Sequence, residues 1–566
     1  MAKQKNPKAS SKPQIAEAPD RPWYEGAAIP WVLGLTAFFL YATGFSNEML
    51  AMDDHSATVN NPAVTRFKPF DQSHNLGMYA PLTWLGYALA FAWGAGKASA
   101  FHVLSALFHA LNTALVLRVF RRLPVGGAAA FFTALFFAVH PIQVKAVAWI
   151  AAFSTPLYAF FSLLAMNWYL KRSADRPYGV DYWLSVAAFL AACLSKSAAV
   201  ALPLSLLALD LWRGRPLTLA LDKMPYGLIA LFFGWKTIAL RAEAGHLSEE
   251  AAVQAFDLMD RFWMICHSVV FYWYKLLAPF NLSIWYPFVK NESGAWPAAY
   301  YAAPVILALA GFGAWRLRRI YPPLSWGLMF FMANIVLALP YATFGSFELR
   351  SDRYNYLAAC GVFAILAHLP VFLSQKNGAW GARARMGLWL LAALWLALSA
   401  IRLRDWKDTV TLVNRAMAAH GDNFGRAYYW RGLEYAKQGK SAEAMADFNS
   451  AIERNPGISE AFKYRGAIYG MRRRYEESIS DLSVYLKRHP EDAEYFFNRG
   501  LSYYNLGRYE EAKADFDYCI ANRPDFAPAW QGRANVWREM GEAEKSAADL
   551  SRFEELQRLE RNKSKR

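Results

Sequence analysis

Long apolar stretches follow one another through the first 402 residues, separated by short polar segments. A helix that crosses a membrane needs about 20 apolar residues, and eleven segments approach that length. The pattern predicts a polytopic bundle of membrane helices over residues 28–402. The predicted spans are 28–45, 101–120, 126–141, 147–170, 181–197, 198–212, 226–241, 299–315, 323–341, 354–373 and 386–402.

The charge distribution decides how two further apolar segments, 79–96 and 262–280, are placed. Cytoplasmic loops are enriched in Lys and Arg, and the basic clusters fall on one side only if these two segments lie on, or dip into, the outer face. The N-terminus is then inside and the C-terminus outside, with outer loops at 46–100, 242–298 and 342–353. The basic clusters are the N-terminal tail, Arg118/Arg121/Arg122, Lys171/Arg172/Arg176, Arg213/Arg215, Arg316/Arg318/Arg319 and Lys376/Arg383/Arg385.

The N-terminal 27 residues are predicted to be a flexible, basic cytoplasmic tail. The first apolar run after them has no convincing cleavage site of small residues, so it is interpreted as a retained signal anchor. Arg402 and Arg404 lie at a predicted outer helix end, which conflicts mildly with the positive-inside rule.

From residue 403 onward the pattern changes to a period of 34 residues. Gly, an aromatic residue, a small residue, Phe or Leu and a closing Pro recur in the order of tetratricopeptide repeats. This predicts an α-solenoid over 403–566, with about four repeats, a capping helix at 405–419 and a charged end at 551–566. Its concave groove suits a peptide or protein, with a rigid spacer or oligomerisation module as the alternative. The recurring positions include Arg431/Arg465/Arg499/Arg533, Gly432/Gly466/Gly500/Ala534, Tyr435/Tyr469/Tyr503/Trp537 and Pro456/Pro490/Pro524.

The overall charge does not indicate nucleic-acid binding. The chain has 566 residues, with 61 Lys and Arg against 45 Asp and Glu. Residues 403–566 contain 28 basic and 26 acidic residues, so the excess lies in the apolar half, where it follows the predicted topology. The four cysteines are far apart, which argues against a disulfide framework or a zinc site.

The first predicted outer loop carries two adjacent acids, Asp53 and Asp54, followed by His55. Neighbouring carboxylates repel each other and lose solvation near a membrane, so a metal, a cation or a substrate proton should offset the cost. An Asp at this place is a candidate general base toward an acceptor hydroxyl. A helix N-cap followed by a solvated acid is the alternative.

Other candidate residues lie in or near the ends of the predicted spans. His102 and His109 share one helix face with Ser105 and Asn112, which suggests a wet cavity or, alternatively, interhelical hydrogen bonds. Outer-side cations suit a lipid phosphate, with snorkelling to the headgroups or ion pairs with Glu348 and Asp352 as alternatives. The cations are Lys145, Lys196, Arg350 and Arg353.

The order of seven stretches resembles the transmembrane and tetratricopeptide-repeat O-mannosyltransferase family and its bacterial relatives, which are C-type membrane glycosyltransferases. The stretches are MDDHSATVNNPAV (52–64), YAPLTWLGYAL (79–89), FHVLSALFHALNTALV (101–116), HPIQVKAVAWI (140–150), LSKSAAVALPLSLLALDL (194–211), LLAPFNLSIWYPF (276–288) and SDRYNYLAACG (351–361).

The resemblance implies that a sugar moves from a polyprenyl-phosphate-linked donor to a hydroxyl of an exported protein, on the outer face of a bacterial inner membrane. Asp53 or Asp54 matches the family's first-loop acid, the expected catalytic base. His102, His109 and Arg353 match polar positions around the donor. The loops and repeats, with the candidate residues Tyr79 and His55, are expected to hold the acceptor. The resemblance implies no certain cofactor, and the adjacent Asp pair fits a reaction with or without a divalent metal.

Three positions depart from the family pattern. Ala80, Lys145 and Ser197 stand where the family usually has Arg, Glu and Glu. A changed donor, a changed mechanism or lost activity would each fit these departures. The alternative function is therefore a non-catalytic membrane scaffold that recruits an envelope or exported protein through its repeats. Transfer to a glycan or lipid is a weaker alternative, because it leaves the repeats unexplained.

Overall fold

The computed structural model describes residues 22–71, 79–172, 177–214, 221–243, 256–288, 290–291, 293–339, 350–421 and 424–564, and this part of the chain is helical without a β-strand. The all-α class is therefore confirmed. Most of the predicted N-terminal tail, together with Arg176, Arg215 and Glu348, lies outside the described residues. The apolar half contains α1 (Ile29–Ala42), α2 (Asp54–Ala57), α3 (Pro62–Thr65), α4 (Pro81–Gly94), α5 (Ala98–Arg121), α6 (Gly127–Val139), α7 (Val144–Ala148), α8 (Ser154–Lys171), α9 (Val180–Ser195), α10 (Leu202–Trp212), α11 (Met224–Glu243), α12 (Leu258–Leu277), α13 (Ala298–Leu317), α14 (Pro322–Ile335), α15 (Asn355–Lys376) and α16 (Gly378–Asp405).

By length and composition, five described helical segments can cross a membrane, and a sixth is added if α6 and the segment Pro141–Ala148, bent by 48°, form one span. Four shorter apolar helical segments accompany them. A membrane bundle of several apolar helices is thus supported, whereas the number of eleven spans stays a prediction. Neither α4 nor α12, the helices of the two segments placed at the outer face, is among the five. The five are Ala98–Arg121, Ile150–Lys171, Ala298–Leu317, Asp352–Lys376 and Gly378–Asp405.

Two glycines bring α14 and α15 close together. A Cβ atom on Gly327 would lie 2.4 Å from the carbonyl oxygen of Gly361, and a Cβ atom on Gly361 would lie 2.3 Å from that of Gly327. Small residues at helix contacts let backbones approach closely inside a membrane. The contact fixes α15, which begins just after Arg353, against its neighbour.

The basic ends of several helices gather at one end of the bundle. Arg213, just after α10, donates to the carbonyl oxygen of Leu170 near the end of α8, at 3.4 Å. Phe120, next to the basic end of α5, packs on Trp326 with ring centroids 5.7 Å apart. Trp326 in turn lies 3.9 Å from the ring of Trp212 in α10. This is the end that the charge distribution assigns to the cytoplasm.

A closed network of buried charges, here called the balanced cluster, joins α8, α10 and the start of α11. Its members are Tyr169, Arg172, Asp210, Asp222 and Lys223. Arg172 and Lys223 lie 2.5 and 2.7 Å from carboxylate oxygens of Asp222, and Lys223 lies 2.5 Å from Asp210. The hydroxyl of Tyr169 donates to Asp210 at 2.6 Å. Two cations thus meet two carboxylates, and Arg172 is buried rather than part of an exposed basic loop.

The C-terminal part forms four helix pairs after a leading helix, as the period of 34 residues predicts. Gly432 and Gly500 leave room for the rings of Phe448 and Phe516, which lie 2.8 and 2.9 Å from the position of a Cβ atom. The leading helix packs on the first pair, in the place of the predicted cap. The helices are α17 (Thr409–His420), α18 (Gly425–Lys437), α19 (Ser441–Arg454), α20 (Ser459–Met471), α21 (Tyr475–Arg488), α22 (Ala493–Asn505), α23 (Tyr509–Asn522), α24 (Ala527–Glu539) and α25 (Ala543–Ser564).

The recurring arginine of the 34-residue period joins each repeat to the helix before it. Arg499 binds both carboxylate oxygens of Asp515 in its own repeat, at 2.8 and 2.7 Å. Its third contact, at 2.9 Å, is with Ser483 of the preceding repeat. The same arrangement recurs for Arg431 with Asp447 and Asn414, Arg465 with Asp481 and Asn449, and Arg533 with Asp549 and Asp517.

Candidate functional site

The two adjacent acids of the first predicted outer loop have different surroundings. Asp54 begins α2 and is buried; its Oδ2 accepts from the backbone N–H of Leu50 and its Oδ1 from that of Ala151, both at 2.8 Å. Asp53 has an exposed side chain. Although it stands at the N-cap position of α2, its side chain makes no capping hydrogen bond. The structure therefore does not support the capping alternative.

Burial raises the pKa of Asp54 to about 7, and the charge of Asp53 adds to the rise, while the hydrogen bonds from Leu50 and Ala151 oppose it. At neutral pH, Asp54 is therefore divided between its protonated and ionised forms. Asp53 is the exposed carboxylate of the pair, whereas Asp54 joins the loop to Ala151. Surroundings that make two nearby acids unlike each other are typical of sites that move protons.

The two histidines of α5 are engaged by other parts of the bundle. His102 Nε2 lies 3.2 Å from the carbonyl oxygen of Asn47. His109 contacts the hydroxyl of Tyr356 through Nδ1, at 2.8 Å, and the carbonyl oxygen of Ala138 through Nε2, at 3.2 Å. Since both ring nitrogens of His109 face protein atoms, the geometry favours interhelical hydrogen bonding for this residue. The predicted contacts of His102 and His109 with the lipid-linked sugar donor stay predictions.

Several cations surround one buried carboxylate where α12, α15 and α16 meet. Asp352 accepts a hydrogen bond from the hydroxyl of Tyr286 at 2.6 Å, and Arg402 lies 3.7 Å from its other oxygen. Lys145 and Lys275 also interact with the charge of Asp352. The ammonium groups of both lysines donate to backbone carbonyl oxygens of the segment that follows α12.

Arg350 adds a fourth buried cation to this group. Its guanidinium donates to the carbonyl oxygen of Pro287 at 2.6 Å, and Nη1 lies 2.9 Å from Nδ1 of His267. The ring of Phe288 lies 3.9 Å from the guanidinium carbon. Burial, with the charge of Arg350, lowers the pKa of His267 to about 4, so the imidazole is neutral and accepts from Arg350.

We call Lys145, Lys275, Arg350, Arg402 and Asp352 the cation-rich cluster. All five side chains are buried, and Arg402 also lies 3.4 Å from a carboxylate oxygen of Asp405, so the four cations outnumber the two neighbouring carboxylates. Burying an unpaired charge costs several kcal/mol, so the arrangement favours an anion close by. A phosphate group has the required charge and takes hydrogen bonds from Arg and Lys.

Trp149 connects the cation-rich cluster with the acid pair. The ammonium of Lys145 and the guanidinium of Arg353 lie 5.7 and 4.9 Å from its ring centroid. The same indole is a neighbour of Asp54, and Ala151, two residues further on, donates to that carboxylate. The structure thus brings Lys145, Arg353 and the acid pair together around one short segment.

Lys196 and Tyr79 contact other helices. The ammonium of Lys196 donates to the hydroxyl of Thr155 in α8 at 2.7 Å. The ring of Tyr79 lies 6.2 Å from that of Phe233 in α11, and the ammonium of Lys236 lies 5.9 Å from its centroid. Their predicted roles in donor and acceptor binding stay predictions.

His55 lies where the first predicted outer loop meets the first repeat. Its Nε2 is 3.0 Å from the ammonium of Lys437 in α18, and both residues line a cleft of about 650 Å³ together with Glu48 and Glu434. Burial and the charge of Lys437 lower the pKa of His55, so its neutral ring accepts from Lys437. The cleft is lined by side chains of both signs and opens between the loop and the repeats.

Sequence reasoning missed Lys275, Tyr286 and Lys437. Lys275 lies in α12, in the segment predicted to lie at the outer face, where a lone Lys suggests a headgroup contact. In the sequence, Arg402 conflicts with the positive-inside rule, and this conflict was the signal for a buried carboxylate partner. Among the described residues, no group of three His, Cys, Asp or Glu side chains could hold a metal ion.

These features define a class: a helical membrane protein whose bundle carries an acid pair beside buried cations, joined to a tetratricopeptide array. The family model described as "Tetratricopeptide repeat" matches residues 425–457 and 493–526, which confirms the repeats.

Curated relatives confirm the resemblance to the O-mannosyltransferases. Protein O-mannosyl-transferase TMTC2 of Mus musculus is 33% identical over 105 residues, covering 19% of this chain and 13% of the relative. Protein O-mannosyl-transferase TMTC4 of Homo sapiens is 26% identical over 194 residues, covering 28% and 26%. TMTC3 of Mus musculus is 31% identical over 132 residues, covering 21% and 14%. The matched region thus spans about a quarter or less of each of these relatives.

Solved structures with a similar arrangement include two MamA proteins. "MamA 41-end from Desulfovibrio magneticus RS-1" is 18% identical, with a TM-score of 0.25, covering 26% of this chain and 84% of that one. "MamA AMB-1 P212121" is 20% identical, with a TM-score of 0.25, covering 26% and 81%.

Proposed function

We propose that this protein is a membrane glycosyltransferase that moves a sugar from a polyprenyl-phosphate-linked donor to a hydroxyl of an exported protein. The observation that carries the proposal is the cation-rich cluster, because buried cations that outnumber the neighbouring carboxylates suit a phosphate group. Its link to the acid pair through Trp149 supports a reaction centre between them. The named function of the curated relatives supports the same class of reaction.

In the proposed reaction, the acceptor oxygen forms a bond with the anomeric carbon of the sugar. The bond between that carbon and the phosphate oxygen breaks, and polyprenyl phosphate leaves with the electron pair. Asp53 accepts the proton of the acceptor hydroxyl, as a general base. Arg353 and the cation-rich cluster stabilise the charge that develops on the leaving phosphate. Asp54 positions Asp53 by tying the loop to Ala151.

The cleft beside His55 is the proposed entry for the acceptor protein. His55 lies in the same loop as Asp53, so an acceptor protein in contact with the first repeat can reach the acid pair. The loop is held against the start of the leading helix α17 by two hydrogen bonds, from Glu48 N–H to Lys407 O and from Ala51 N–H to the Thr409 hydroxyl, both at 2.9 Å. In this proposal the protein spans a bacterial inner membrane, with the repeats outside the cytoplasm.

The test compares the exported proteins of cells lacking this chain with those of cells that carry wild-type protein, Asp53→Asn or Asp71→Asn. Asp71 is an exposed acid in the same predicted outer loop and provides the matched control. Mass spectrometry should find a hexose-sized addition that depends on wild-type protein, is retained with Asp71→Asn and is lost with Asp53→Asn at equal abundance. Unchanged modification by Asp53→Asn would overturn the role of Asp53.

A second candidate function is a non-catalytic scaffold, and the position of Lys145 favours it. This residue stands where the family usually has an acid, and its ammonium is held by the carbonyl oxygen of Ile284 at 2.6 Å. A scaffold would keep a partner bound through the repeats although no sugar is transferred. Cross-linking in cells that recovers a defined envelope protein, with no modification dependent on this chain, would favour the scaffold.

A further inference from the structure

An apolar groove of about 850 Å³ lies between α10, α12, α13 and α14, away from the acid pair. Its walls are formed mainly by indoles and aliphatic chains. The rings of Trp212 and Trp326, tilted by 36° with centroids 3.9 Å apart, form one side. The lining includes Trp212, Trp273, Leu307, Gly311, Trp326 and Met329.

One end of this groove is positively charged. Arg318 and Arg319, at the end of α13, both line it. The guanidinium of Arg318 lies 4.8 Å from the ring centroid of Trp315 and donates to the carbonyl oxygen of that residue at 2.6 Å. Within the part of the chain that the structure describes, neither arginine forms an ion pair with a carboxylate. The groove thus combines an apolar length with two cations that have no counter-charge there.

The groove lies at the basic end of the bundle, far from the cation-rich cluster. Trp326, in its wall, packs on Phe120 next to the basic end of α5. Tyr321, close to the arginine end, donates to the carbonyl oxygen of Ile365. Ile365 lies ten residues into α15, which begins beside Arg353 at the other end. Ten residues of helix correspond to about 15 Å, so the two cationic regions are separate.

We propose that this groove binds an anionic phospholipid, with the headgroup phosphate between Arg318 and Arg319 and an acyl chain along the indoles. Guanidinium groups bind phosphate oxygens through paired hydrogen bonds, and basic pockets between membrane helices suit anionic headgroups. Only 17% of the apolar window of α13 is buried, so the groove is open sideways to lipid. Charge complementarity and this lateral opening support a phospholipid rather than a soluble anion.

The test uses the purified full-length protein in detergent and native mass spectrometry after addition of phosphatidylglycerol, phosphatidylcholine or polyprenyl phosphate. Two independent variants address the groove. Arg318→Gln/Arg319→Gln removes its charges, and Gly311→Leu fills its apolar part, where a Cβ atom meets no other atom within 4 Å. The matched controls are Arg383→Gln/Arg385→Gln and Gly387→Leu; both lie on α16, and a Cβ atom on Gly387 also meets open space.

Wild-type protein and both controls should retain phosphatidylglycerol in preference to phosphatidylcholine. Each groove variant should bind it at least about tenfold more weakly, which corresponds to about 1.4 kcal/mol. Equal retention of the two phospholipids, undiminished retention by either groove variant, or displacement by polyprenyl phosphate at equal concentration would overturn the proposal. If one groove variant does not fold, the other decides. The readout does not involve sugar transfer, so it stands or fails independently of the proposed reaction.

Discussion

The two ends of the bundle both bury charged side chains, but only one end balances its positive charges with carboxylates. At the basic end, Arg172 and Lys223 meet two carboxylates around the hydroxyl of Tyr169, so the balanced cluster is neutral. At the other end, four buried cations outnumber the neighbouring carboxylates of Asp352 and Asp405. The balanced cluster needs no ligand to neutralise its charge, whereas the cation-rich cluster has an excess of positive charge that an anionic ligand can neutralise.

The comparison separates buried charges that stabilise the fold from those available to a substrate. Removing one member of a neutral buried network leaves an uncompensated charge and is strongly destabilising. Removing one cation from a group with a positive excess also removes repulsion, so the cost to the fold is smaller. A substitution in the balanced cluster should therefore mainly reduce stability, whereas a substitution in the cation-rich cluster should mainly reduce ligand binding.

The largest effect is expected for Arg172→Met in the balanced cluster. The change leaves Asp210 and Asp222 with one cation, and we expect the free energy of unfolding to fall by about 3–5 kcal/mol. Denaturant unfolding in detergent measures this loss. Lys171→Met is the control, because Lys171 is neighbouring but largely exposed; equal stability of the two variants would contradict the role of the cluster.

A smaller loss of about 2–3 kcal/mol is expected for Arg499→Gln in the repeats, which breaks the pair with Asp515. This ion pair extends the comparison, because its positive charge is also balanced by a carboxylate. The full chain should then lose protection from hydrogen exchange mainly in α22 and α23. Arg523→Gln, which changes a more exposed arginine of the same repeat, is the control and should leave this protection unchanged.

The buried acid Asp54 gives an effect that depends on pH. Its pKa in the folded protein is about 7, above the usual value near 3.9 in an unfolded chain. Between about pH 4 and pH 7 the folded state holds the extra proton, so stability should fall as pH rises, by up to about 1.4 kcal/mol per unit. Above pH 7 this dependence ends. Thermal unfolding should show the slope in wild-type protein and a flatter profile in Asp54→Asn; an identical slope would contradict the assignment.

The smallest loss of stability is expected for Lys275→Met in the cation-rich cluster. The variant loses hydrogen bonds to the carbonyl oxygens of Phe280 and Asn281, but it also reduces the excess of buried positive charge. We expect a decrease of about 1 kcal/mol, measured beside Arg172→Met under the same conditions. A loss as large as that of Arg172→Met would mean that the two clusters do not differ in kind.

The repeats could be predicted in detail because their signal is periodic. Gly432 and Pro456 recur at a fixed step, and the structure adds only the contacts of Arg499 and its counterparts. The roles of the site residues stay predictions, and the structure shows where their side chains lie. Asp53 and Asp54 are adjacent and chemically identical in sequence, and their difference arises from the burial of Asp54. The buried carboxylate contacts Ala151, almost a hundred residues away. No local pattern contains that contact.

The positive-inside rule likewise uses only the order of residues in the sequence, so it does not detect opposite charges that meet in the folded protein. Arg402 conflicts with it, and the structure gives the physical reason, since Asp352 lies 3.7 Å away. Lys275 was not noticed because a cation on an amphipathic helix is ordinarily solvated. Arg172 belongs to a predicted cytoplasmic basic cluster, yet it is buried, and Asp222, just before α11, compensates its charge.

The most direct test of the central claim is the affinity of the purified protein for polyprenyl phosphate, measured in detergent for wild-type protein, Lys275→Met, Arg402→Met and the control Arg383→Met. If the excess charge of the cation-rich cluster binds the phosphate, the first two variants should bind at least about tenfold more weakly, a loss of about 1.4 kcal/mol, while the control matches wild-type protein. Equal affinity in all four proteins, with each shown to be folded, would contradict the account.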